Sequence, residues 1–503
     1  MKRIWIIVTV VIALQHPQYT KAQAPTQLTA DSLDCYIRKA MDMWQIPGVA
    51  VCILKDGKLF YQKGFGLANT VTKQPVDEQT VFPIASVSKT FTGTLYATLE
   101  AEKKLSLNDA VKKWWPALSV KDKLYEQQIS FADILSHRTG WKTFQGDLLN
   151  TESSLDYPVM IQKFGNQAPA YPIRTRFGYS NFGFMIAGQC VQPITGTNWN
   201  NYLHQRLLQP LGMKRTLVFA PTIEADKNVA VGHSFMYDSL VALINIKVEP
   251  YAHGGIYASI ADLGVWTTVL LNKGRLQTEQ VIPESAITKM WQSHTIIGRQ
   301  RSADREFYFK TYGLGWEIVQ YQNAEVMQHS GAYAGALASL ALIPKLNLGI
   351  VILTNSDGHF LQETLKWQVI DAFLQKPAPD YTQAAIERRR KILTDTINVS
   401  AKQVATAFAV DLKAIVGVYE CSNYGKAFIK QEGGKYVLLL EHHPQLKGLL
   451  SPYQKDQLSC VYNHPMFGKV LLPFVLKHGL VKSFTLYVDA FVEADGYEFI
   501  KVK

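Results

Sequence analysis

The chain has 503 residues and a formal net charge of +11. Removing Lys2, Arg3 and Lys21 with the leader described below leaves +8, spread along the chain, so composition makes no case for nucleic-acid binding. Five sparse cysteines (Cys35, Cys52, Cys190, Cys421, Cys460) form neither a disulfide framework nor a zinc-site spacing, and past residue 22 no stretch approaches the ~18 apolar residues of a membrane span.

Met1 to Ala22 reads as an export signal. Lys2 and Arg3 form its charged start, Ile4 to Leu14 is an apolar run too short to cross a bilayer, and Thr20-Lys21-Ala22 offers small residues at a cut after Ala22. The expected protein is periplasmic or secreted, without stable membrane insertion. The remaining length, about 480 residues, exceeds one core and implies two domains.

From Leu28 to Trp44 the spacing of Leu33, Ile37, Ala40, Met41 and Trp44 predicts one helical face, ended by Pro47-Gly48. Val49 to Leu54 and Lys58 to Gly64 read as strands joined by a tight Asp56-Gly57 turn. Ser86 opens a helix, Ser86 to Gly196 is helix-rich, and helical pattern resumes at Ile260 to Asn272. Strands return at Leu314 to Gln320, Glu325 to His329, Ala336 to Ile343 and Leu348 to Thr354, the last two joined through Lys345-Leu346-Asn347. Strands at both ends with helices between predict an α/β (α+β) domain over 23–376, built on one antiparallel sheet flanked by helices.

Around Pro377-Ala378-Pro379 the pattern stops, and a polar helical stretch from Asp380 to about Phe408 reads as a linker, 377–410. Within it Arg388-Arg389-Arg390-Lys391 reads as a solvated helix face. From 411 to 503 the texture is short strands: Gly417 to Glu420, Ala427 to Lys430, Tyr436 to Leu440, Gln457 to Tyr462, Lys469 to Val475, Val481 to Val488 and Tyr497 to Val502. Closely spaced strands with Gly433-Gly434 and Asp495-Gly496 turns predict an all-β barrel or sandwich. His442-His443, adjacent and so on opposite sides of a strand, are poor co-ligands and read as solvent-exposed. The cysteines read as buried small hydrophobes, with a Cys421–Cys460 bridge left open.

Ser86-Val87-Ser88-Lys89 is the only Ser-x-x-Lys in the chain. On a helix its first and last residues share a face, so an amine lies ready to take the hydroxyl proton, and burial would lower that amine's pKa. First-turn N–H groups have no intrahelical partner, leaving Ser86 N–H for a developing oxyanion. Tyr179-Ser180-Asn181, on a turn leading into an apolar helix, supplies a phenol and an amide; Tyr321-Gln322-Asn323 repeats that spacing but reads as a hairpin turn. His329-Ser330-Gly331-Ala332 ends a predicted strand: Gly331 lets a substrate lie against its edge, Ala332 N–H is a second oxyanion donor, and His329 offers the cleft a polar group able to carry charge.

In this order the motifs resemble the penicillin-recognising serine hydrolases: class C β-lactamases, D-alanyl-D-alanine carboxypeptidases, D-aminopeptidases and related esterases. Ile46-Pro47-Gly48-Val49-Ala50-Val51 with Lys55-Asp56-Gly57-Lys58, Phe82 to Lys89, Leu135-Ser136-His137-Arg138-Thr139-Gly140, Phe177 to Asn181, Gly254 to Ser259 with Asp262-Leu263, and Tyr312-Gly313-Leu314-Gly315-Trp316 carry the likeness, which spans roughly Leu28 to Leu374. The resemblance implies a β-lactamase/transpeptidase-like fold and acyl-enzyme hydrolysis of a small-molecule or peptide substrate, with no cofactor or metal. It implies Ser86 as nucleophile, Lys89 and Tyr179 sharing proton transfer, Asn181 orienting substrate, and His137 in a structural role. His329-Ser330 stand where many relatives carry Lys-Thr; a largely neutral histidine there favours peptidase, amidase or esterase branches over an efficient β-lactamase. A class C-like β-lactamase and a non-catalytic peptidoglycan-fragment sensor are the rivals. The C-terminal barrel resembles, more weakly, the lipocalin-like domains of some bacterial peptidase relatives. Substrate identity and oligomeric state are not legible in the chain.

Overall fold

The computed structural model describes residues 28–236, 239–243, 251–298, 307–333, 335–377, 380–390 and 408–502. The expected export signal and its cut lie outside these residues, as does the middle of the expected linker.

Helix α1 (Ala30–Trp44) starts where its cap is reciprocal: Thr29 Oγ1 accepts from Ser32 N–H at 3.1 Å and Ser32 Oγ from Thr29 N–H at 2.9 Å. Strands β1 (Gly48–Lys55) and β2 (Lys58–Asn69) are joined by Asp56-Gly57, whose φ values of 54° and 72° make the two-residue turn that matches strand twist. Seven further strands complete one sheet: β3 (Gln74–Pro75), β4 (Thr295–Gly298), β5 (Phe307–Tyr312), β6 (Glu317–Tyr321), β7 (Ala324–Tyr333), β8 (Ala336–Ile343) and β9 (Leu348–Thr354). Their order is β4-β5-β6-β7-β8-β9-β1-β2-β3, all antiparallel, so the first and last strands of this region in chain order meet at β1–β9, with Val49 opposite Thr354. The sheet expected from both ends is present. β7 runs on to Tyr333, past the expected end at His329, and Tyr321-Gln322-Asn323 forms the β6–β7 turn with Gln322 at φ 52°.

β1 is buried on both faces, which sets the layers. Val49, Val51 and Ile53 pack with Leu33, Ile37 and Trp44 of α1 and with Leu361 and Leu365, whereas Ala50, Cys52 and Leu54 join the opposite core. That core holds α2 (Ser88–Ala101), α3 (Asn181–Thr195) and α4 (Ile260–Leu271). Helix α5 (Leu361–Phe373) covers the α1 side. Each fully buried Val, Leu or Ile is worth about 1.5–3 kcal/mol, so a sheet sandwiched this way is a rigid platform for whatever projects from it.

Residues 381–390 are helical. They do not form a free spacer: Tyr381 and Ile386 are buried in the α1–α5 core, and Arg389 stands 5.4 Å over the Trp44 ring, while Arg388 and Arg390 are exposed. The C-terminal region is a closed eight-stranded barrel, β10 (Gly417–Cys421), β11 (Gly425–Glu432), β12 (Lys435–Leu440), β13 (His443–Gln454), β14 (Gln457–Tyr462), β15 (Lys469–Lys477), β16 (Leu480–Leu486) and β17 (Tyr497–Lys501), each paired to the next and β17 back to β10.

Two expectations need correction. His443 is not solvent-exposed: at the start of β13 it is buried, its ring bonded to the Tyr424 hydroxyl and to the Thr151 carbonyl. The cysteines are all free thiols, so Cys421 and Cys460 are unbridged; Cys35 is exposed and Cys421 half-buried, so only Cys52, Cys190 and Cys460 serve as core hydrophobes. No described helix is long and apolar enough to cross a membrane.

Candidate active site

Ser86 sits in a single 3-10 turn (Ala85–Val87) that runs directly into α2 at Ser88, close to the helix start expected. The turn is entered through Ala85 at φ 45°, a left-handed conformation that an alanine adopts only where its surroundings impose it. Lys89, in the first turn of α2, is fully buried, whereas Ser86 is half-buried at the cleft floor.

Lys89 Nζ lies 3.0 Å from Ser86 Oγ, 2.7 Å from Asn181 Oδ1 and 2.5 Å from the His253 carbonyl. The last two can only accept, so they fix two N–H bonds of the amine. The third direction, toward Ser86 Oγ, is where a neutral amine would present its lone pair. Burial pushes the Lys89 pKa down to about 7, with the Asp147 charge opposing that shift. Asp147, equally buried, is pushed up to about 7 and accepts from Asn181 Nδ2 at 2.6 Å.

Asn181 is the first residue of α3, whose N-cap Ser180 accepts from Gly183 N–H at 3.2 Å. The cap explains why Tyr179 and Asn181 flank the helix start and face the cleft. The Tyr179 hydroxyl hydrogen-bonds the Ser86 side chain, and burial holds the phenol well above its usual pKa, so it stays protonated. His137 fixes this turn, its Nδ1 accepting from Ser180 N–H at 3.0 Å and its ring centroid 4.2 Å from that of Tyr179.

β7 closes the opposite side. A Cβ built on Gly331 would lie 2.2 Å from Ile84 O and 3.1 Å from Ser86 N, so only glycine lets the strand approach the nucleophile turn this closely. His329, Ser330, Gly331 and Ala332 line the cleft with Ser86, Tyr179 and Asn181. His329 is not a cation there. Its Nδ1–H donates to Ser330 O at 2.7 Å, so Nε2 accepts from the Tyr312 hydroxyl at 2.7 Å; burial pushes the ring down to about 4. The residues selected from the sequence therefore line one space, about 310 Å³ in volume, except Lys89, which is buried and reaches it through Ser86. Its rim is aromatic and apolar: Phe144, Tyr251 and Tyr333 from the first domain, Met466, Phe491 and Val492 from the barrel. Among the described residues no three His, Cys, Asp or Glu side chains gather as a metal-binding group.

Comparison with known proteins places this arrangement. A family model described as Beta-lactamase matches residues 33–374. The chain belongs to the beta-lactamase family. It is 28% identical over 362 residues to an unguisins hydrolase of Aspergillus campestris, covering 68% of this chain and 65%, just under two thirds, of that protein. Protein Flp of Staphylococcus aureus is 28% identical over 357 residues (69% of this chain, 68% of Flp), and a beta-lactamase of Escherichia coli K12 is 26% identical over 384 residues (69% and 94%). Among solved structures, the octameric penicillin-binding protein homologue from Pyrococcus abyssi has a TM-score of 0.60 at 22% identity, covering 94% of this chain and 100% of that one. SurE has a TM-score of 0.55 at 19% identity, covering 94% and 99%. At these identities the structural likeness concerns the fold.

Sequence reasoning missed Asp147, His253 and the barrel residues of the rim. Asp147 opens a single 3-10 turn (Asp147–Leu149) after Gly146, and His253 contributes only a backbone carbonyl, so neither leaves a spacing signal. The Gly254-Gly255 turn beside His253 was the nearest available clue.

Proposed function

We propose that the protein is an exported serine hydrolase that cleaves an amide, peptide or ester bond through an acyl-enzyme on Ser86, in the manner of D-amino-acid peptidases or esterases. The observation that carries the reading is Lys89 Nζ at 3.0 Å from Ser86 Oγ, its other two bonds occupied by pure acceptors. In acylation, Lys89 takes the Ser86 proton as Oγ attacks the carbonyl carbon. Charge collects on the carbonyl oxygen, held by Ser86 N–H and Ala332 N–H. Tyr179, a neutral phenol in contact with Ser86, relays to the leaving group the proton that Lys89 took, gaining one as it gives one, so that both groups end as they began; water then attacks the acyl-enzyme by the reverse route. Asn181 keeps Lys89 in place and offers a polar edge to the substrate; Ser330 and Gly331 give it a strand edge to lie on. The neutral His329, turned inward to Tyr312, gives a substrate carboxylate no cation, which favours amide and ester substrates over β-lactams. The apolar leader at 4–14 supports export to the periplasm or medium, and recovered protein beginning at Gln23 would bear it out.

The test is turnover of a panel of esters, D-aminoacyl amides and a chromogenic β-lactam by wild type and Ser86→Ala. Ester or amide turnover should exceed β-lactam turnover and fall at least about a thousandfold in the variant. Undiminished hydrolysis by Ser86→Ala would reject the mechanism.

A further inference from the structure

One wall of the cleft, residues 146–154, is gripped by the barrel. Glu493, only 1% exposed, aims its carboxylate at two backbone groups of that wall: Gly146 N–H donates to Oε1 at 2.6 Å and Leu148 N–H to Oε2 at 3.0 Å. The Tyr497 hydroxyl, held by Gln167 Nε2 at 3.1 Å, donates to the same carboxylate at 3.0 Å. Farther along, His443 Nε2–H donates to Thr151 O at 2.9 Å, and Ser154 N–H to His442 O at 2.8 Å. The residue enclosed between the two N–H groups is Asp147. Its Oδ2 accepts from Asn181 Nδ2 at 2.6 Å, and Asn181 Oδ1 from Lys89 Nζ at 2.7 Å.

We infer that Glu493 is a positioning residue for acyl transfer: by holding the N–H groups on either side of Asp147 it fixes the Asp147–Asn181–Lys89 relay, so the barrel completes the active site. The inference rests on the serine-hydrolase reading above. The chemistry is specific to a carboxyl side chain. Two buried N–H groups need two acceptor oxygens on one rigid fork; an amide offers one oxygen and an opposing donor, and an alkyl chain offers none. With the N–H groups on both sides of Asp147 bonded to one carboxyl group, its backbone is held in place. A change at position 493 therefore reaches the amine through Asp147 and Asn181 without touching substrate.

The experiment compares full-length wild type, Glu493→Gln and Lys163→Met by rate of fluorophosphonate labelling at Ser86, steady-state kinetics on the best ester, and thermal melting. Lys163 Nζ donates to Tyr424 O at 3.0 Å, so its replacement loosens the domain junction away from the relay. Glu493→Gln should slow labelling and kcat about tenfold or more with KM within about threefold, whereas Lys163→Met keeps the wild-type rate. On an Asp147→Ala background the same Glu493 change should cost less than about twofold, because the relay is already cut. Glu493→Asp, which keeps the two-oxygen fork but is one methylene short, serves if the glutamine variant does not fold, and must also lose labelling rate with KM retained. Wild-type labelling rates in either position-493 variant, losses that simply add to those of Asp147→Ala, or an equal loss in Lys163→Met each overturn the inference. Wild-type protein that takes no label at Ser86 overturns the hydrolase reading and this inference with it.

Discussion

Gly331→Ala is the sharpest perturbation of the site, because its cost can be worked out from distances. The added methyl would lie 2.2 Å from Ile84 O, 3.1 Å from Ile84 C and 3.1 Å from Ser86 N, all of them backbone atoms with no side-chain rotation available as relief. An ordinary C···O contact needs about 3.3 Å, so β7 and the nucleophile turn must separate by roughly 1 Å. Overpacking of this kind costs about 1–3 kcal/mol of stability. The catalytic cost is larger in proportion, since a misplacement of about 1 Å between reacting groups can slow a reaction about a hundredfold. Here the displaced pair is Ser86 N–H and Ala332 N–H, the two proposed oxyanion donors. Thermal melting and the rate of fluorophosphonate acylation read the two effects separately. Acylation should fall about a hundredfold while the protein still melts cooperatively at a lower temperature. A variant that acylates at the wild-type rate would show that β7 does not supply the second donor.

Four other outcomes are expected. With Lys89 held near pH 7 and needed in its neutral form, kcat/KM should rise with pH through about 7 and level above it; Asp147→Asn removes a charge that raises the Lys89 pKa, so the acid limb should move to lower pH. Between about 7 and the ordinary 10.5 of a lysine the unfolded chain holds the proton that the folded one has lost, so stability rises with pH there; Lys89→Met should melt above wild type at pH 6, with a gap that narrows toward pH 10. Tyr312→Phe leaves His329 Nε2 buried without its donor and should cost about 1–3 kcal/mol in chemical denaturation. Phe491→Ala, on the barrel's side of the rim, should raise KM for bulky apolar esters about threefold to tenfold with kcat unchanged.

The chemistry was readable where it depended on short motifs. Ser86 and Lys89 lie within one turn, Tyr179 and Asn181 flank one cap, and His329 to Ala332 follow one another along a strand, so local periodicity placed each group. β8 and β9 were readable to the residue, because Ala336–Ile343 and Leu348–Thr354 are apolar runs cut by turn residues. β13 has no counterpart among the expected strands, and Pro444, Gly448 and Pro452 interrupt it. Tertiary context admits them: Pro452 sits by a register shift, and a Cβ at Gly448 would lie 2.4 Å from Cys460 Sγ. His442 lies in the turn before β13, so the strand alternation expected of the His442-His443 pair does not apply, and only the closed barrel shows that His443 is buried. Asp147, the His253 carbonyl and Glu493 act across 34, 164 and more than 340 residues of chain, respectively, separations at which no sequence periodicity survives.

The central claim is that Lys89 makes Ser86 a nucleophile. Intact-mass and peptide mapping after brief exposure to a fluorophosphonate tests it most directly, in wild type, Ser86→Ala and Lys89→Met. One adduct per chain on the Ser86 peptide, absent from Ser86→Ala and slowed at least about a hundredfold in Lys89→Met, is the expected result. An adduct on another residue, or Lys89→Met labelled as fast as wild type, would contradict it.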